Sequence, residues 1–128
     1  MKIVIETIPH KEHRYNTCGD YWIEKDGTIQ VRISKMKDKY VQAVILHELY
    51  ELFSVINKKI SIKKIDIFDT AFEVLREKYP KLIGEQEPGN MISAPYFQEH
   101  QDATVIERFF CKNNNIDWNK YEQTIDSL

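Results

Sequence analysis

The run Ala43-Val44-Ile45-Leu46-His47-Glu48-Leu49-Tyr50-Glu51-Leu52-Phe53 reads as the middle of a helix, and it sets His47, Glu48 and Glu51 in otherwise apolar surroundings. An unpaired charge is costly where solvation is poor, so something must compensate the trio. A bound metal ion, a buried polar network and plain exposure on one helical face are the three ways to do so. At about 100° per residue, His47 and Glu51 share a sector with Val44 and Val55. Glu48 lies between that sector and the apolar stripe of Val41, Ile45, Leu49, Leu52, Phe53 and Ile56. The trio therefore faces the edge of a core, where a pocket can form.

The rest of the chain supplies a frame for this helix. Lys2 to Ile8 is rich in β-branched residues and stops at Pro9, as a short strand does. Tyr21 to Glu24, Lys25-Asp26-Gly27 and Thr28 to Ile33 read as strand, turn and strand, with Ile29, Val31 and Ile33 on a buried face. Ser34 or Asp38 can cap the central helix, which should span about Asp38 to Asn57. A second helix is predicted over about Ile65 to Lys78, ended by Pro80, with Asp66, Asp69 and Glu73 along a charged face. Lys81 to Ala94 has turn chemistry without a period and reads as a mobile loop that could border and gate a site. A third helix should run from about Pro95 to Lys112 and break at Asn113-Asn114-Asn115. Asp117 then caps a short last helix that docks through Trp118, Tyr121 and Ile125. The expected fold is α+β in one domain, 1–128: a small antiparallel sheet packed on three main helices and a short C-terminal one.

Charge and cysteine content narrow the function classes. A net charge of -2 gives no electrostatic case for nucleic acid or an anionic membrane. The lysines at 58, 59, 63 and 64 read as a solvated loop that suits the helix C-terminus. No apolar run approaches a membrane span or a signal peptide, and Cys18 and Cys111 are too few and too far apart for a disulfide framework, so a cytoplasmic setting with reduced thiols is expected. His10, His13 and Cys18 fall in a loop and read as surface residues.

Downstream, His100 and Glu107 are seven residues apart on one helix, nearly in line, with the small Ala103 beside them. A small side chain lets a partner helix approach closely. Two helices that each carry His and Glu at same-face spacing form a candidate site for a divalent metal, zinc first.

The residues His47-Glu48-Leu49-Tyr50-Glu51 resemble the active-site helix of zincin-type metallopeptidases, whose motif is His-Glu-x-x-His. The resemblance makes His47 a metal ligand and Glu48 the general base, and it puts a strand along the substrate cleft where Thr28 to Ile33 stands here. Glu51 replaces the second histidine. His100 can supply the missing imidazole, with Glu107 as fourth ligand or orienting group. The implied substrate is a peptide or a small molecule. The chain is also similar to small phage-type proteins with the same His-Glu-x-x-Glu and Glu-His pairing, a likeness that implies no activity. Two alternatives stand beside this reading. Leu46 to Glu51 is similar to the His-Asp helix of HD-type phosphohydrolases, with Glu48 for the aspartate; His13 and one of the later acids would have to complete that site, with basic groups beside the metal. A non-enzymatic accessory or interaction protein would use the polar pairs only to fix helix register.

Overall fold

The computed structural model describes residues 1–128 and has the expected α+β architecture. Strands β1 (Ile3–Ile8), β2 (Gly19–Ile23) and β3 (Ile29–Ser34) form one sheet in the order β1-β3-β2. The β2-β3 hairpin is antiparallel, whereas β1 pairs parallel to β3, from Ile3 opposite Ile29 to Ile8 opposite Ser34. The sheet is thus mixed rather than wholly antiparallel. Because the hairpin reverses the chain once more, β3 runs the same way as β1 and takes the centre. The hairpin turn is a three-residue loop: Gly27 N donates to the Glu24 carbonyl (2.9 Å), and Glu24 N to the Thr28 carbonyl (2.8 Å). Gly27 has φ +88°, which a residue with a Cβ adopts poorly.

Helix α1 (Asp38–Asn57) has the expected bounds, but neither anticipated residue caps it. Lys37 occupies the cap position without a side-chain bond, and Ser34 is the fully buried last residue of β3. The buried face of α1 is also rotated from the expected stripe. Tyr40, Val41, Val44, His47, Glu51, Leu52 and Val55 are buried, while Ile56 is exposed. The cause is that α1 lies between two partners, the sheet through Val31 and Ile33 and helix α4 (Phe97–Asn113) through the side that carries His47 and Glu51. Ala103 on α4 is fully buried, consistent with the close approach its size permits.

Helix α2 (Ile62–Lys78) starts at Ser61, whose Oγ accepts from Lys64 N (3.3 Å). It packs Ile65 with Val55, Ala94 and Tyr96 in a second, smaller core. Its acidic face is not uniformly solvated, because Asp69 is buried. Pro80 opens a one-turn helix, α3 (Pro80–Ile83), and a 3-10 turn at Pro88–Asn90 follows. Within 81–94, α3 packs against α2 and the Pro88–Asn90 turn packs against α4 and α2, while Gly84 to Glu87 between them is exposed. α4 ends in the asparagine run as expected: Asn115 takes φ 54°, and Ile116 N closes back on the Cys111 carbonyl (2.9 Å). Asp117 caps α5 (Trp118–Asp126) through Lys120 N (3.0 Å). Both cysteines are free, and no helix is long and apolar enough to cross a membrane.

Candidate metal centre

Three side-chain atoms meet where α1 crosses α4. His47 Nε2 lies 3.1 Å from His100 Nδ1, His100 Nδ1 lies 2.9 Å from Glu51 Oε2, and Glu51 Oε2 lies 3.4 Å from His47 Nε2. All three residues are buried. For metal bonds of about 2.0–2.1 Å, neighbouring donors on a tetrahedron stand about 3.3 Å apart, so this triangle has the dimensions of three ligands around one small cation.

The far side of each donor is held. His47 Nδ1 faces Glu107 Oε1 at 3.1 Å, and Glu107 Oε2 accepts from the Tyr121 hydroxyl at 2.6 Å. His100 Nε2 faces Glu87 Oε2 at 3.0 Å, and Glu51 Oε1 accepts from the Tyr21 hydroxyl at 2.8 Å. Carboxylates only accept, so these bonds assign N–H to His47 Nδ1 and to His100 Nε2. The two remaining ring nitrogens then confront each other and a carboxylate oxygen with lone pairs. A positive charge, protons or a metal ion, must lie among them.

The surroundings of each group shift its pKa in keeping with that demand. Burial alone would lower the histidines, but Glu107 and Glu51 raise His47 well above its usual value, and Glu51 and Glu87 raise His100 to about 9. Burial acts to raise Glu51, but the His100 and His47 bonds outweigh it and hold this carboxylate at about 2. Glu48 goes the other way: burial, then the charge of Glu51, pushes it up to about 8. Glu48, half-buried as a residue, lines a cavity of about 260 Å³ shared with His47, Glu51, His100, Cys18 and Tyr96.

Of the anticipated ligands, His47, Glu51 and His100 converge, whereas Glu107 sits on the opposite ring nitrogen of His47. Sequence reasoning missed Glu87, which carries no period or motif, and the hydroxyl roles of Tyr21 and Tyr121, which the strand and helix patterns mark only as docking positions. It also took His10 and His13 for surface residues, but their Nδ1 and Nε2 atoms meet the buried Ser34 hydroxyl at 2.9 and 3.0 Å. The expectation of an open Thr28–Ile33 strand fails, because β3 is paired on both sides. The edge strands are β1 and β2; β2 lines the cavity, and its Gly19 and Tyr21 carbonyls already accept from Thr17 Oγ1 (2.6 Å) and Arg14 Nη2 (3.4 Å).

Asp69 forms a second polar cluster on the cavity wall, accepting from the hydroxyls of Tyr96 (2.7 Å) and Tyr15 (3.2 Å). Burial raises it to about 7 against the pull of those bonds. A raised carboxyl keeps its proton longer folded than unfolded, so stability falls as pH rises from about 4 to about 7. Asp69→Asn, uncharged at every pH and still able to bond tyrosines, is expected to stabilise the protein at pH 8 by a few kcal/mol and to flatten that decline. Urea titrations at pH 4 and pH 8 measure this.

No family model, curated protein or solved structure matches the chain at a significant level.

Proposed function

We propose that the protein is a metal-dependent hydrolase, with one divalent cation, zinc as first choice, held by His47, Glu51 and His100. The observation that carries this reading is the converging triangle of donors whose outer atoms are all fixed, on His47 by Glu107, on His100 by Glu87 and on Glu51 by Tyr21. Two imidazoles and one carboxylate are an established zinc set, and three protein ligands leave a coordination position open, as catalytic sites do and structural sites do not. A cation there supplies Lewis acidity and makes water easier to deprotonate. Glu48, next to the ligand His47 and lining the cavity, is the general base. Glu107 acts as an orienting group, since it meets the ring nitrogen that faces away from the triangle.

The cavity favours an uncharged carbonyl-containing group over a phosphate. Arg76 alone among its lining residues is a lysine or arginine, and its guanidinium is engaged by Glu73 and by the carbonyls of Gly84 and Gln86. That arrangement takes support from the phosphohydrolase reading. At about 260 Å³, the space suits a small molecule or one side chain of a peptide. A peptide lying along β2 would have to displace Arg14 and Thr17 from the strand edge.

Elemental analysis of protein purified without chelator is the direct test. The wild type should carry about one equivalent of metal and His47→Ala close to none, a loss of one of three ligands. Near-zero metal in both, after incubation with zinc, ends the proposal.

A further inference from the structure

The chain has four glycines, and they divide into two kinds. Gly27 and Gly84 have positive φ and open space where a Cβ would be, so backbone conformation accounts for them. Gly19 and Gly89 have no positive φ and are both buried. What they lack is room: a Cβ on Gly19 would lie 2.5 Å from Glu48 Oε1 and 2.8 Å from its Cγ, and one on Gly89 would lie 2.5 Å from His100 Cγ and 2.6 Å from Nδ1. We infer that Gly19 and Gly89 are positioning residues, the first clearing the place where the Glu48 carboxyl stands and the second the place where the His100 ring stands.

The two clearances differ in consequence. The Glu48 carboxyl ends a flexible chain and no other side chain bonds it, so a methyl at position 19 displaces it without disturbing the donor triangle. The His100 ring is pinned by Glu51 at 2.9 Å and Glu87 at 3.0 Å, so a methyl at position 89 moves a donor atom. The functional consequence rests on the metal reading, while the steric statement stands without it.

Two measurements test both. In zinc titrations against a chromogenic chelator, Gly89→Ala should bind Zn²⁺ about tenfold or more weakly, and Gly19→Ala within about twofold of wild type. The visible bands of the Co²⁺-loaded protein should change in Gly89→Ala, which a merely structural weakening leaves alone. In thermal unfolding of metal-free protein, Gly19→Ala should lower the midpoint by several degrees in wild type and by at most about one degree in a Glu48→Ala background; Gly89→Ala should behave likewise with His100→Ala. Equal costs in both backgrounds overturn the inference. A wild type that binds no Zn²⁺ defeats the metal reading instead, and the stability cycles then decide the glycines alone.

Discussion

Glu48→Gln is expected to lose about 10²–10⁴-fold in turnover while keeping its full equivalent of metal. Glutamine matches glutamate in shape but cannot take a proton, so the substitution isolates base function from packing. Metal is retained because the Glu48 carboxyl is not among the converging donors. The pH profile gives an independent mark. Burial and then the charge of Glu51 raise Glu48 to about 8. A base must be ionised, so activity should fall as pH drops through its pKa. A bound cation pulls that value down, which places the acid limb between the ordinary carboxylate range and about 8. Glu48→Gln should erase the limb along with the rate. Assays of a panel of ester and amide probes at pH 5 to 9, with metal content measured on the same samples, check both. Undiminished activity removes Glu48 from the chemistry.

Zinc affinity should rise steeply with pH, the second large effect. In the metal-free protein His47 and His100 hold protons tightly, because Glu107, Glu51 and Glu87 surround them despite burial. A cation can enter only as those protons leave, and each one displaced makes the apparent affinity change about tenfold per pH unit. With one or two protons released, affinity should increase about 10²- to 10⁴-fold between pH 6 and pH 8. Without metal the same groups give the opposite trend. A histidine raised on folding contributes stability in full below its usual value of 6.5, and loses it as pH rises through about 9. Added zinc should therefore stabilise more at pH 8 than at pH 6. Calorimetry in buffers of different ionisation enthalpy counts the protons, and a flat affinity profile contradicts the site as described.

The parts of this site that could be read from sequence are those where polar residues interrupt an apolar period. His47 and Glu51 stood out inside the Ala43 to Phe53 run, and His100 and Glu107 stood out by spacing around Ala103. Periodicity also placed α1, α2, α4 and α5 to within a few residues. What escaped were groups fixed by tertiary position alone. Glu87 reaches His100 from a segment with no period, and the tyrosines at 21 and 121 act through hydroxyls that any amphipathic pattern scores as core. Strand order escaped too: nothing local to Thr28–Ile33 announces that β1 will pair along its second edge. Position 69 looked solvated because its helix carries acids at regular spacing, whereas docking against Tyr15 and Tyr96 buried it.

The donors at 47 and 100 are 53 positions apart, and all of α2 and α3 lies between them. An ion bridging them would close that long segment into a ring, much as a covalent cross-link does, in a chain whose two thiols form none. Amide hydrogens of α4 should then exchange more slowly with ion bound than without, while β1 and β3, joined by their own ladder, gain little. The ion would be the fastener of the C-terminal half as well as its reagent.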